Sequence, residues 1–213
     1  YKIDTITYNS TKITSDGFSS MIHTRTASSM TSIGNDIYIF GGHYNELTYY
    51  NDLYKINSIT CNATKITLNG DVISTRYSHT MTSIGNDIYI FGGYSGSSKL
   101  NDLYKIDTDS YPYNVTQITS NGFDNEISAR SYHTMTSVNN DNDIYIFGGS
   151  DGSYLNDLYK IDSITYNETL ITSNGFDNEI LPRNNHSMLS IGNDIYIFGG
   201  YDGSGFNDLY KID

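Results

Sequence analysis

The chain has 213 residues and a formal net charge of −12, from 12 basic and 24 acidic side chains. This negative charge disfavours binding to nucleic acid and to anionic membranes. No apolar run reaches the roughly 18 residues that a membrane span needs, and the single cysteine excludes an internal disulfide. The length is enough for one sizeable core.

Short strand candidates alternate with polar turns along the whole chain. The first are YKID at Tyr1 and the polar TKIT at Thr11, and a full cycle follows from Arg25. Each cycle has an alternating strand of the HTMTSI type, then DIYIF, then DLYKI, then a polar strand of the TKIT type. DIYIF is almost continuously apolar, which is typical of a strand covered on both faces.

Four markers recur in a fixed order and define a repeat of about 50 residues. Every difference in length between the repeats falls between the predicted strands, which supports their boundaries. The markers are Phe-Gly-Gly at Phe40, Phe91, Phe147 and Phe198; Asn-Asp-Leu-Tyr at Asn51, Asn101, Asn156 and Asn207; Arg-x-x-[His/Ser] at Arg25, Arg76, Arg130 and Arg183; and Asn-x-Thr at Asn9, Asn62, Asn114 and Asn167.

A four-stranded unit of this length predicts the blade of a β-propeller. Phe-Gly-Gly, the Tyr-Asp-Gly loop at Tyr201, Asn-Asp-Leu-Tyr and Arg-x-x-His together resemble the kelch repeat over essentially the whole chain. The resemblance implies an all-β propeller of four-stranded antiparallel blades, with partners bound by the loops of one face. The chain departs from the family in having no Trp on the fourth strand, where we expect Thr or Ile to fill the space.

We therefore predict one propeller domain, or a segment of one, over residues 1–213. Its repeats are approximately 25–75, 76–129, 130–182, and 183–213 completed by 1–24. YKID occurs at both chain ends, and both copies correspond to the same strand of the repeat. Three alternatives follow: a closed ring of four blades, a fragment of a larger ring or array, or self-assembly through the terminal strands. Because the chain starts at Tyr1, we also expect a fragment or a processed product.

Two features resemble ligand sites, but each has a simpler structural interpretation. The Gly-Gly pairs lead into another strand, whereas a phosphate loop leads into a helix, so we expect the glycines to serve the fold. His79, His133 and His186 share one repeat position, but Ser28 interrupts the set, and we expect structural histidines. We expect no cofactor, no metal site and no catalytic residues.

The predicted partner-binding face combines the arginines with residues of the loops that follow Gly-Gly. Guanidinium groups recognise carboxylates by bidentate pairing. The alternative is that each arginine pairs with an aspartate of its own or the next blade: Asp52, Asp102, Asp157 or Asp208. The residues predicted for this face are Arg25, Arg76, Arg130, Arg183, Tyr94, Asp151 and Asp202.

The Asn-x-Thr turns predict either structural asparagines or glycans on the outer rim. Glycans on Asn9, Asn62, Asn114 and Asn167 would place the protein outside the cell or on its surface; otherwise we expect it in the cytoplasm. The leading hypothesis is a non-catalytic module that binds a protein or a glycan. The alternatives are a repeating unit of an extracellular fibre or coat and, with less support, a propeller enzyme.

Overall fold

The fold is that of a β-propeller with four blades. The computed structural model describes residues 2–3, 10–12, 21–45, 47–119, 127–138, 142–172 and 179–213. Within this part of the chain, no helix is long and apolar enough to cross a membrane. In chain order the strands are β1 (Lys2–Ile3), β2 (Ser10–Thr11), β3 (Ser29–Ile33), β4 (Asp36–Phe40), β5 (His43–Asn45), β6 (Thr48–Tyr49), β7 (Leu53–Asn57), β8 (Ala63–Ile66), β9 (Leu68–Gly70), β10 (Thr80–Ile84), β11 (Asp87–Tyr94), β12 (Lys99–Asp107), β13 (Tyr113–Ile118), β14 (Thr134–Val138), β15 (Asp143–Ser150), β16 (Tyr154–Ile161), β17 (Glu168–Leu170), β18 (Ser187–Ile191), β19 (Asp194–Phe198) and β20 (Leu209–Ile212).

Each repeat folds into one antiparallel sheet, which confirms the predicted all-β propeller. Blade 1 is β3-β4-β7-β8, blade 2 is β10-β11-β12-β13, and blade 3 is β14-β15-β16-β17. Blade 4 is the three-stranded sheet β18-β19-β20. Short additions lie beside the blades: β9 pairs in parallel with β13, and β5 pairs with β6.

The predicted completion of blade 4 by residues 1–24 is not seen in the described strands. β1 and β2 pair with each other in a separate two-stranded sheet. Residues 4–9 and 13–20, which include the fourth-strand candidate around Ile13, lie outside the described residues. The repeat boundaries at the chain ends therefore stay a prediction.

The blades pack on one another in sequence order. The first strands meet as β3 on β10, β10 on β14 and β14 on β18. In the described part of the chain, β18 and β3 do not form an equivalent interface. Among the described residues, blade 4 therefore packs its first strand against blade 3 only.

The core lies between the blades because the second strand of each blade is apolar on both faces. Phe40 and Leu53 of blade 1 share one cluster with Ile88 and Ile90 of blade 2, and all four are fully buried. In the absence of Trp, fourth-strand isoleucines fill the space: Ile66 lies in this cluster and Ile118 and Ile171 pack in the next two.

The Gly-Gly pairs are required by backbone conformation and by crowding between blades. Gly92 has φ of +60°, and a Cβ there would lie 3.0 Å from the Arg130 carbonyl oxygen and 3.0 Å from Cε1 of His133. Both of these atoms belong to the next blade. The glycines therefore serve blade packing, as the sequence predicted.

Replacing Gly92 with Ala tests this crowding against a matched control. Gly85 has φ of +57° with no atom within 4 Å of its virtual Cβ. Gly85→Ala should cost about 1–2 kcal/mol from backbone strain alone. Gly92→Ala should cost at least about 1 kcal/mol more, because the methyl group displaces blade 3. Urea unfolding measures both free energies; equal losses would contradict the crowding.

Candidate functional site

The loop face is the side of the propeller formed by two kinds of loop in each blade. One follows Gly-Gly, between the second and third strands, and the other carries Arg-x-x-His ahead of the first strand. An isolated β-bridge joins the two loops in every blade: Thr26 with His43, Tyr77 with Tyr94, Ser131 with Ser150, and Asn184 with Tyr201. The sequence predicted that partners bind here.

Each arginine of the loop face is paired with the aspartate of its own blade. Arg76 donates to Asp102 through both terminal nitrogens, at 2.6 and 2.9 Å, and Nη1 also donates to the Gly92 carbonyl at 3.0 Å. The other blades repeat this arrangement. The pairs are Arg25–Asp52, Arg76–Asp102, Arg130–Asp157 and Arg183–Asp208, each with one contact of 2.6 Å.

The arginine backbone ties each blade to the one before it. The Arg76 carbonyl accepts the N–H of Gly42 at 2.8 Å, and the Arg76 N–H donates to the Tyr50 carbonyl at 3.1 Å. Gly93 and Gly149 donate in the same way to Arg130 and Arg183. Arg76, Arg130 and Arg183 thus each join two blades, because the backbone bonds to the preceding blade and the side chain bonds to the aspartate of its own blade. We call this set of contacts the interblade latch.

These contacts change the role of the arginines in the predicted binding face. Arg76, Arg130 and Arg183 are 0% exposed, so their guanidinium groups cannot reach a carboxylate on a partner. Their contacts are those of the alternative given in the sequence analysis, in which each arginine forms an ion pair with an aspartate. Hydrogen bonding from Arg183 lowers the pKa of Asp208, which keeps this pair charged at neutral pH.

The three histidines lie at the same interfaces. Nε2 of His133 lies 2.7 Å from the Thr80 hydroxyl of the preceding blade, and the imidazole packs edge-on against Phe91 at 5.2 Å between ring centroids. His79 and His186 make the corresponding contacts. Burial lowers the pKa of His79 to about 3 and that of His186 to about 4, so both are neutral at pH 7.

A row of backbone hydrogen bonds links the four blades on this face. Ser78 donates to the Ala27 carbonyl, Tyr132 to Ser78, and Asn185 to Tyr132. All four residues have φ between 51° and 60°, a left-handed conformation that aims each peptide group at its neighbour. They surround an opening of about 300 Å³ together with Ser28 and the three histidines.

A cluster of aromatic side chains crosses the loop face from blade 1 to blade 2. We call it the aromatic cluster. Tyr77 stacks on Tyr49 at 5.7 Å, contacts His43 at 4.4 Å and meets Tyr94 edge-on at 5.5 Å. All four are partly exposed. Burial raises the pKa of Tyr77, and neighbouring Tyr132 of blade 3 adds to the shift.

The sequence predicted only Tyr94 of this cluster. The composition gave only a general indication of such a cluster, because the chain contains 21 Tyr. Tyr49 and Tyr77 belong to no repeated marker, and their meeting depends on how two blades pack. No periodic pattern could therefore have identified them.

The remaining predicted residues lie in turns of the loop face or on the outer rim. Asp151 and Asp202 accept the N–H groups of Ser153 and Ser204, as turn-forming aspartates do. In the described ranges, no group of three or more His, Cys, Asp and Glu could hold a metal ion. The rim asparagines Asn62, Asn114 and Asn167 are exposed, and Asn9 lies outside the described residues.

Comparison with known proteins agrees with the repeat structure of the chain. A family model described as the KLHDC2/KLHL20/DRC7 Kelch-repeats domain matches residues 1–124 and again residues 113–213. The chain belongs to the kelch-repeat family. The kelch markers noted in the sequence are therefore those of a true member.

Three relatives indicate the range of proteins that contain such repeats. Host cell factor of Drosophila melanogaster is 29% identical over 188 residues, covering 79% of this chain and 12% of that protein. Tip elongation aberrant protein 1 of Schizosaccharomyces pombe is 30% identical over 186 residues, covering 83% and 16%. The N-(sulfonatooxy)prop-2-enimidothioate sulfolyase of Thlaspi arvense is 33% identical over 137 residues, covering 62% and 37%. The chain thus spans well under half the length of each.

Removing a latch should destabilise the protein far more than removing a surface ion pair. Arg76→Met breaks the buried pair and should cost about 3 kcal/mol or more. Lys105→Met removes a 2.7 Å pair with Asp87 whose side chains are 30% and 28% exposed, and should cost less than about 1 kcal/mol. Urea unfolding gives both values, and similar losses would show that the Arg76 pair is not a latch.

Acid should destabilise the protein through the buried histidines. Their pKa lies below the ordinary 6.5 only in the folded state, so unfolding takes up protons between the two values and stability falls as pH decreases from about 6.5. The lowered pKa of Asp208 reduces stability only when the pH falls below the ordinary aspartate value of 3.8.

His79→Ser places at this position the residue that blade 1 has at Ser28. It should reduce the slope of unfolding free energy against pH by about 1.4 kcal/mol per unit between about pH 4 and pH 6. His23→Ser, which makes the same substitution at an exposed histidine, is the matched control. The measurement is a series of urea titrations across this pH range; an unchanged slope in His79→Ser would refute the assignment.

Proposed function

We propose that the protein is a non-catalytic interaction module that binds a protein partner on its loop face through the aromatic cluster. The observation that carries this proposal is the stacking of His43, Tyr49, Tyr77 and Tyr94, partly exposed, across the join of two blades. Tyrosine is enriched at protein interfaces because it offers a large rigid surface with a polar tip.

The packing beneath the cluster supports its use as a rigid platform. Gly96 brings its loop against the Tyr49 ring, where a Cβ would lie 2.8 Å from Cε2. The Tyr77–Tyr94 bridge fixes two further members through paired backbone hydrogen bonds of 3.1 and 2.9 Å. A preformed surface loses little conformational entropy on binding.

The charge of the chain favours a partner with a neutral or basic surface. The net charge is −12, and the arginines of the loop face are neutralised by their aspartates. The exposed acidic side chain of Asp151 lies in a neighbouring loop of this face. Long-range attraction would therefore speed association with a basic protein.

The titratable groups of the loop face support binding rather than catalysis. The three histidines are buried with lowered pKa values, and the arginines are held in ion pairs. The enzyme alternative rests on the relative named as a sulfolyase. Host cell factor and tip elongation aberrant protein 1 are not named for a reaction.

The extracellular alternative has its support on the outer rim. Asn62, Asn114 and Asn167 are exposed, as are the threonines two residues later, so a glycan could be attached at each turn. Mass spectrometry of the protein from its native source decides this: glycans on these asparagines support secretion, and unmodified peptides oppose it.

The fibre alternative has its support at the edge of blade 4. β20 is the last strand of its three-stranded sheet, so its outer side pairs with no other described strand. Sedimentation of the protein over a range of concentrations tests assembly through this edge. A single monomeric species at every concentration would exclude it.

A photo-crosslinking experiment tests the aromatic cluster directly. A crosslinking amino acid at Tyr94 should capture a protein partner in cells, and the same group at Tyr111, which is 75% exposed and follows the third strand of blade 2, should not. Tyr49→Ala should reduce capture from position 94 at least about 10-fold, as loss of an interface hot spot does. Capture that is equal from both positions, or unaffected by Tyr49→Ala, would refute the proposal.

A further inference from the structure

A pair of tyrosines crosses the loop face between blade 3 and blade 4, and neither belongs to the aromatic cluster. Tyr154 meets Tyr201 edge-on, with ring centroids 6.1 Å apart and an angle of 81° between the ring planes. Tyr154 is 38% exposed and Tyr201 is 45% exposed. The join of these two blades therefore carries an exposed aromatic surface of its own.

Each of the two loops that carry these tyrosines also carries an aspartate. Both aspartates form the same turn, in which Asp151 Oδ1 accepts the Ser153 N–H at 3.0 Å and Asp202 Oδ1 accepts the Ser204 N–H at 3.1 Å. Asp151 is exposed and Asp202 is partly exposed. Neither forms an ion pair within the described part of the chain. The two loops thus present two tyrosine rings and two carboxylates held in position by their turns.

The arginine–aspartate pairs inside the blades show which group this protein holds with a carboxylate and a tyrosine. The Arg76 guanidinium binds Asp102 at 2.6 Å, and its carbon lies 5.3 Å from the ring centroid of Tyr104. The corresponding distance to a tyrosine centroid is 5.3 Å in blades 1 and 4 and 5.6 Å in blade 3. A guanidinium suits both groups because its plane stacks on an aromatic ring while its N–H groups pair with a carboxylate.

We propose that the two tyrosines and two aspartates of these loops form a binding site for an arginine side chain of a protein partner. We call it the arginine site; its residues are Asp151, Tyr154, Tyr201 and Asp202. The tyrosine rings contact the guanidinium, and the aspartates accept its N–H groups. The proposal rests on the proposed function in that a partner binds the loop face, and it deepens that function by naming the side chain that is recognised.

Charge favours an arginine of another protein over one of a second copy. All four arginines of this chain are held in ion pairs with aspartates, so a second copy has no free guanidinium to offer. The net charge of −12 attracts a basic protein. One cation of this chain already lies near the site, because Nζ of Lys99 is 3.4 Å from the hydroxyl of Ser150, the residue before Asp151.

Titration with a short peptide tests the arginine site directly. The probe is acetyl-Gly-Arg-Gly-amide, and the readout is the amide NMR signals of Gly152 and Gly203, which lie in the two turns. Both signals should shift and saturate along one binding curve. The peptide with lysine in place of arginine should bind at least about 3-fold more weakly, because an ammonium group is more strongly hydrated and does not stack. The peptide with citrulline, which keeps the shape of arginine without its charge, should cause no saturable shift.

Substitutions inside and outside the site separate recognition from general attraction to an acidic protein. Tyr201→Ala should weaken binding of the arginine peptide about 2- to 5-fold, as expected for an exposed cation–π contact. Asp151→Asn should weaken it at least about 3-fold through loss of a charge-assisted hydrogen bond. The matched controls are Tyr111→Ala and Asp109→Asn, which remove the same groups at an exposed turn of blade 2 and should leave the binding curve unchanged. Lys99→Met removes a competing cation and should not weaken binding.

Three results would overturn the proposal. They are the absence of saturable shifts at Gly152 and Gly203, equal binding of the lysine or citrulline peptide, and control variants that weaken binding as much as the site variants. Because the titration contains no partner protein, its failure differs from failure of the proposed function. Crosslinking from position 94 that persists without arginine binding would refute the arginine site and leave the aromatic cluster as the binding surface.

Discussion

The interblade arginine latch is the interaction on which the rest of the structure depends. A propeller blade buries its apolar second strand only if the neighbouring blade is held at the right distance and angle. The latch supplies both constraints, because Arg130 accepts the Gly93 N–H of blade 2 through its carbonyl and binds Gly148 and Asp157 of blade 3 through its guanidinium. A fully buried guanidinium must keep its carboxylate partner, because an unpaired buried charge would greatly reduce the free energy of unfolding.

The latch also explains how a rigid scaffold and variable loops coexist. The glycine pair and the arginine hold the base of the loop after Gly-Gly in blades 1 to 3. In blades 1 and 2 these loops bring Tyr49 and Tyr94 together with Tyr77. Packing between blades limits sequence differences in the strands. Most differences between the repeats therefore lie in the loops of one face.

The periodic part of the molecule could be predicted from the sequence, and the features that break the period could not. Phe-Gly-Gly, DIYIF and NDLYKI fixed the blade, its strand order and the structural role of the glycines, because each follows from local patterning. For the arginines the sequence left two alternatives, a binding face and ion pairs with aspartates of the blades, because spacing along the chain does not reveal burial. The structure contains the ion pairs, such as Arg76 with Asp102. The aromatic cluster and the exposure of Phe198 depend on how the blades pack. Because the Phe-Gly-Gly motif is the same in all four repeats, the sequence could not show that Phe198 differs from the other three.

Native-state hydrogen exchange of the glycine amides tests the latch most directly. If the arginine carbonyls hold the blades together, the amides of Gly42, Gly93 and Gly149 should exchange only through cooperative opening of the propeller. They should exchange far more slowly than the amide of Gly200, which follows the same Phe-Gly sequence but donates no hydrogen bond within the described residues. If all four amides exchange at similar rates, the blades are held by apolar packing alone, and the latch is not the interaction that organises the fold.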